Sequence, residues 1–220
     1  MSTGFYRFWR QVIRIFTRPM KTEWEVPFEG GPCVFVANHL GASGPIAMCA
    51  RFPLTASCHP WITAQVMDKK EIKDFVRLDQ WWNHNSFLHP ILNAVVPPLA
   101  ALLIPPIMQG ANGIPVYRDT RVMTTFRKSI AVLKSGENLL IFPENVSGHG
   151  EYDAELNTGW LMIADLWYKA SGNALNIYPV LIDKKAHTIR VSAPVIWDTE
   201  RTLNEQTDEV IKLISAGIGR

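Results

Sequence analysis

Apolar residues fall in short runs separated by charged and turn-forming segments, and the runs alternate between two periods. Cys33-Val34-Phe35-Val36-Ala37 is apolar throughout, as is Leu139-Leu140-Ile141-Phe142; runs of this length read as strands buried on both faces. Elsewhere the period is helical. Val122, Phe126, Ile130 and Leu133 trace one face behind Asp119 or Thr120 as cap, and Gly136 ends it. Gly44-Pro45 opens a short helix through Arg51, 69–78 reads as a charged helix, and 155–171 reads as a helix closed by Gly172. Further strands are expected at 61–64, 114–116, 138–142, 177–182 and 188–191, ahead of a last helix at 203–216. This alternation predicts an α/β fold with a mixed, largely parallel sheet flanked by helices. Ligand sites in such sheets gather where strands end.

Two segments depart from the pattern. Phe5, Trp9, Val12, Ile13 and Phe16 recur at helical spacing, and Arg7, Arg10, Arg14, Arg18 and Lys21 all precede the first acidic residue, Glu23. Residues 1–24 therefore predict an N-terminal amphipathic helix, lying in a membrane interface with its arginines on anionic headgroups, or packed on a domain spanning 25–220. From Gln80 through Tyr117 there is no Asp, Glu, Lys or Arg, and Ala94 to Met108 holds only aliphatic residues, methionine and proline. The strictly apolar part is shorter than the roughly 20 residues of a spanning helix, and Pro97-Pro98 and Pro105-Pro106 are expected to break it. An interfacial helical hairpin, the wall of an acyl-chain tunnel, or ordinary core helices all fit.

Composition sharpens the lipid reading. Hydrophobic residues make up 47% and charged residues 19%, with 8 tryptophans, which is apolar for a soluble enzyme. The net charge of +2 comes from the N-terminal arginines, a segment too short and too aromatic at helical spacing to favour nucleic acid. Three cysteines without a paired framework fit a reducing compartment. With no signal-peptide pattern and no myristoylation glycine, the expected location is the cytoplasmic face of a membrane, held peripherally.

Both apolar runs deliver polar groups to their ends, Asn38-His39 after the first and Pro143-Glu144 after the second. Histidine changes charge near neutral pH, so His39 is the candidate general base, although a histidine at a strand end is often structural. Cys58-His59 with His84 and His89 lacks zinc-site spacing, and no metal is expected. Gly41-Ala42-Ser43-Gly44 lacks the spacing of a nucleophile elbow.

Read together, Asn38-His39, Gly113-Ile114-Pro115-Val116-Tyr117-Arg118, Phe142-Pro143-Glu144 and Tyr178-Pro179-Val180 resemble the four blocks of the glycerophospholipid acyltransferase superfamily, the lysophosphatidate acyltransferase group. Those blocks run N-H-x-x-x-x-D, G-x-x-x-x-R, F-P-E-G-T-R-S and a Pro-Val strand. The likeness extends over roughly residues 25–195, and Gly159 with the segment after it matches the glycine-led helix that follows the third block. It implies acyl transfer to a lysophospholipid or related hydroxyl, with acyl-CoA or acyl carrier protein as co-substrate and no cofactor. His39 is then the base, Arg118 the clamp on the acceptor's phosphate, and Glu144 an acceptor-site residue. Asn38, Ser43, Gly113, Phe142, Pro143 and Ser147 are expected around the substrate. Plainer roles stay open: an ion pair of Arg118 with Asp119, and a capping or loop role for Glu144. The chain departs from the blocks where Gly44 replaces the aspartate that orients the histidine, and where Asn145-Val146-Ser147 replaces Gly-Thr-Arg. Ser43, a backbone carbonyl or Glu144 is left to orient the ring. These departures also motivate an alternative, a non-catalytic lipid-binding descendant of the same fold.

Overall fold

The structure, a computed structural model, describes residues 4–41, 43–78, 89–146 and 152–219. Helix α1 (Gly4–Phe16) leads through strand β1 (Lys21–Trp24) to β2 (Cys33–Ala37), α2 (Ser43–Arg51), β3 (Cys58–Thr63), α3 (Ala64–Met67) and α4 (Glu71–Leu78). Next come α5 (His89–Gly110), β4 (Ile114–Val116), α6 (Val122–Lys134), β5 (Asn138–Ile141), β6 (Glu144–Val146) and β7 (Tyr152–Leu156). The chain closes with α7 (Met162–Ser171), β8 (Asn176–Asp183), β9 (Thr188–Val191), β10 (Val195–Ile196) and α8 (Leu203–Gly217).

The wholly apolar β2 earns its composition by lying at the centre of an 8-stranded sheet ordered β1-β9-β8-β2-β5-β3-β4, with β10 beside β8. Its odd-numbered residues Cys33, Phe35 and Ala37 enter one core with Met48 of α2 and Phe52 just after it. Val34 and Val36 enter the other, with residues of α6, α7 and α8. Both faces are covered, so neither tolerates a polar position. Strands β8, β2, β5, β3 and β4 run parallel, while β9 is antiparallel to β8 and carries β1 along its outer edge. The sheet is thus mixed and mostly parallel, flanked by helices.

Pro179 sits inside this sheet opposite Val36. It is tolerated because it falls where β8 changes partner, after the β10 pairing at Ile177 and before the β9 pairing at Val180, so no ladder requires its N–H. Gly217 of α8 then packs on its ring, where an added Cβ would stand 2.4 Å from the proline Cβ.

Several elements differ from the sequence expectation. The four prolines 97, 98, 105 and 106 do not break the apolar segment, because α5 is one helix of 22 residues running through all of them. Proline's fixed φ is itself helical; what each costs is one hydrogen bond, and packing against Ile72 and Val76 of α4 holds the helix together. Among the described residues α5 is the one helix long and apolar enough to cross a membrane. The helix expected from 155 starts only at a 3₁₀ turn, Gly159–Leu161, because residues 152–156 pair with β6 and Asn157 turns the chain. The Asn157 N–H donates to the Pro143 carbonyl at 2.8 Å, and its Oδ1 accepts the Gly159 N–H at 2.9 Å. The strand expected at 61–64 begins earlier, at Cys58, and gives way to α3 at Ala64.

Candidate active site

The last main-chain pair of β2 joins Ala37 to Val180. Asn38 extends the ladder with its side chain: Oδ1 accepts the Ile182 N–H at 2.7 Å, and Nδ2 donates to the Ile182 carbonyl at 3.2 Å. That frees the main chain to turn away at His39. Leu40 and Gly41 both take left-handed backbone, with φ of 47° and 64°, a conformation that costs a leucine and not a glycine. The Ser43 hydroxyl donates to the Leu40 carbonyl, and the Gly44 N–H donates to the His39 carbonyl at 2.9 Å. Replacing Asn38 by leucine is expected to lower the free energy of unfolding by about 2–4 kcal/mol, since both Ile182 groups lose buried partners; chemical denaturation measures it.

The neighbouring strand β5 delivers the second half of the site. Phe142 meets the His39 ring edge-on, with centroids 5.3 Å apart. Glu144, buried to 8% exposure, accepts the His39 main-chain N–H at 2.8 Å across 105 residues of sequence. An N–H aimed at a buried carboxylate is stronger than a neutral pair. His39 is therefore held at both ends of its backbone, its N–H by Glu144 and its carbonyl by Gly44. Pro143, next to Glu144 in the chain, is buried, and its carbonyl accepts the Asn157 N–H.

Gly44 is enclosed by this loop. A Cβ built there would lie 2.1 Å from the His39 carbonyl oxygen and 2.7 Å from that of Asn38. No side chain fits at 44 unless the backbone beside His39 moves.

The structure brings together Asn38, His39, Ser43, Phe142, Pro143 and Glu144; the others stand apart. Arg118 follows β4 at the same sheet edge but three strands from β2, roughly 14 Å by strand spacing. It is exposed, and its neighbour Asp119 pairs instead with Arg121 at 2.7 Å, which holds the Asp119 carboxyl down at about 2. Gly113 lies at the opposite end of β4, where an added Cβ would stand 2.5 Å from the Ile62 side chain, so it serves the turn from α5 into β4. Ser147 lies outside the described residues, as do Ala42 and His84.

No family model, characterised protein or solved structure matches the chain. The chemistry has to be argued from the site's own groups. Burial pushes the Cys49 thiol up to about 11 and Cys33 and Cys58 higher still, so none of the three is an activated nucleophile. Among the described residues no cluster of His, Cys, Asp and Glu could hold a metal ion. The strand-end histidine remains the group best suited to move a proton. Sequence reasoning did not find the Asn38–Ile182 clamp or the closure of the loop on Gly44; the pairing of Gly41 with Gly44 around the histidine was the available signal.

Proposed function

We propose that the protein transfers a fatty acyl group from acyl-CoA or acyl carrier protein to the hydroxyl of a lysophospholipid or related acceptor. It would do so at the cytoplasmic face of a membrane, on an acyltransferase-like α/β domain preceded by an amphipathic helix. The observation that carries this reading is the contact of Glu144 with the His39 main chain: two separate motif blocks converge at adjacent strand ends and fix the histidine. In the proposed reaction the acceptor oxygen attacks the thioester carbonyl carbon while the His39 ring takes its proton. The tetrahedral intermediate then expels the thiolate, which recovers the proton from the imidazolium, leaving an ester and a free thiol. No acyl-enzyme is needed. Exposed, and without an ion pair among the described residues, Arg118 is suited to a phosphate at a distance from the reacting hydroxyl, because guanidinium grips phosphate oxygens in pairs.

The test gives purified protein labelled acyl-CoA and acyl carrier protein donors with a panel of lysolipids. Ester formed with at least one pair is expected; inertness with all of them sinks the enzyme reading. Gly44 favours a second reading, a lipid-binding protein without turnover, because the position for an orienting carboxylate has no room for one. Saturable lysolipid binding by a protein inert with every donor would select it.

A further inference from the structure

Helices α1 and α5 pack on each other, and each carries an apolar stripe wider than that packing uses. In α1, Tyr6 is buried and Trp9, Val12 and Ile13 are half-buried, yet Phe8, Ile15 and Phe16 remain 62%, 76% and 85% exposed. Along α5 the exposed positions Ile91, Ala94, Val95, Pro98, Leu99 and Leu102 follow the three-and-four spacing of a single helix face. None of these six is polar, and the exposed polar residue of α5, Gln109, stands at its C-terminal end. Apolar residues scattered singly over a surface need no explanation, but stripes on two adjoining helices do.

Charge indicates what covers them. Neither α1 nor α5 contains a carboxylate, and the exposed Arg7 and Arg14 border the α1 stripe. Just beyond α1, the Arg18 guanidinium lies 3.3 Å from His187 Nε2, on the β8–β9 turn that also carries exposed Lys184 and Lys185. An apolar stripe with a basic border fits an anionic bilayer surface. A second copy of the chain fits less well, since it would set arginines against arginines. The β8–β9 turn follows the C-terminal end of β8, the sheet edge at which His39 stands, so docking would bring that edge to the lipid.

Lying along the surface suits α5 better than crossing it. Its inner side packs Ala100 and Ala101 on Ile72 and Val76 of α4, whose outer face exposes Lys73, Asp74 and Arg77. A bilayer closed around α5 would have to take in those charges. Its prolines also leave the carbonyls of Asn93, Ala94, Ala101 and Leu102 without their helical N–H donors, which interfacial water can satisfy and hydrocarbon cannot. Just past α5, His59 Nδ1 lies 3.1 Å from the Asn112 carbonyl while its Nε2 meets the Glu137 carboxylate at 2.8 Å, tying the end of the helix to the sheet.

We propose that α1 and α5 form one docking face for an anionic lipid surface, with α5 lying along the interface. The face is independent of whether His39 catalyses. Co-sedimentation of the full chain with phosphatidylcholine vesicles, with and without phosphatidylglycerol, tests it. Binding is expected to need phosphatidylglycerol, to weaken as salt rises, and to be reversed by alkaline carbonate. A Leu99→Glu/Leu102→Glu variant should bind about tenfold weaker or less, and a Phe8→Glu/Phe16→Glu variant likewise; circular dichroism should show both folded, because all four positions are exposed. His39→Ala should bind like the parent, which separates this test from the acyl-transfer one. Undiminished binding by the folded α5 variant removes α5 from the face, and retention through carbonate overturns the interfacial placement. A parent dimer that Leu99→Glu/Leu102→Glu dissociates would give the face to a second copy.

Discussion

Alanine in place of His39 is expected to lower the proposed acyl transfer about 10²–10⁴-fold, the usual contribution of a positioned general base, while the protein stays folded. The two are separable because the loop is held through the His39 main chain. Its N–H bonds Glu144 and its carbonyl accepts the Gly44 N–H, and alanine keeps both groups. Folding loses the edge-on contact with Phe142, about 0.5–1.5 kcal/mol beyond simple burial, and keeps the main-chain hold on the loop. A thermal melt close to the parent's, with turnover collapsed, is therefore the expected pair of results. Unchanged turnover in a folded His39→Ala protein would remove the histidine from the mechanism, whatever the fate of the acyltransferase reading.

The central sheet was legible because burial on both faces leaves no choice of residue. A strand such as β2 has to be apolar at every position, and the interiors of β5 and β8 follow the same requirement, with the polar Asn138, Asn176 and Asp183 at their ends. Edge strands carry no such signature: β1, Lys-Thr-Glu-Trp, is half in solvent and is specified by its pairing with β9. In α5 local and tertiary preferences conflict, and the tertiary ones win, since a proline rule that treats each residue alone misses a helix supported along one side by α3 and α4. At the site, the meeting of His39 with Glu144 was foreshadowed by two polar groups following two apolar runs. The tasks of the side chains were not, because pairings such as Asn38 with Ile182 join residues 144 apart and leave no local pattern.

Aspartate at position 44, the substitution that would complete the motif around His39, is expected to damage the site. The obstruction begins at Cβ, before any carboxylate is reached: the atoms in the way are the carbonyl oxygens of His39 and Asn38, at 2.1 and 2.7 Å. These are backbone atoms and cannot swing aside like the end of a flexible side chain. Relief means opening the Gly44 N–H bond to the His39 carbonyl and shifting the turn at Leu40, which carries the histidine with it. The expected loss is about 2–4 kcal/mol in unfolding free energy, from overpacking together with a broken hydrogen bond, accompanied by lower rather than higher turnover. Gly44→Ala supplies the control. A steric origin predicts that alanine harms nearly as much as aspartate, whereas restored electrostatic support for the imidazolium predicts that aspartate gains activity and alanine does not. The second outcome would mean that the loop re-forms around a carboxylate at little cost. The first would mean that Gly44 is built into the turn that presents His39, so that the absence of an aspartate there follows from the backbone path as much as from the chemistry.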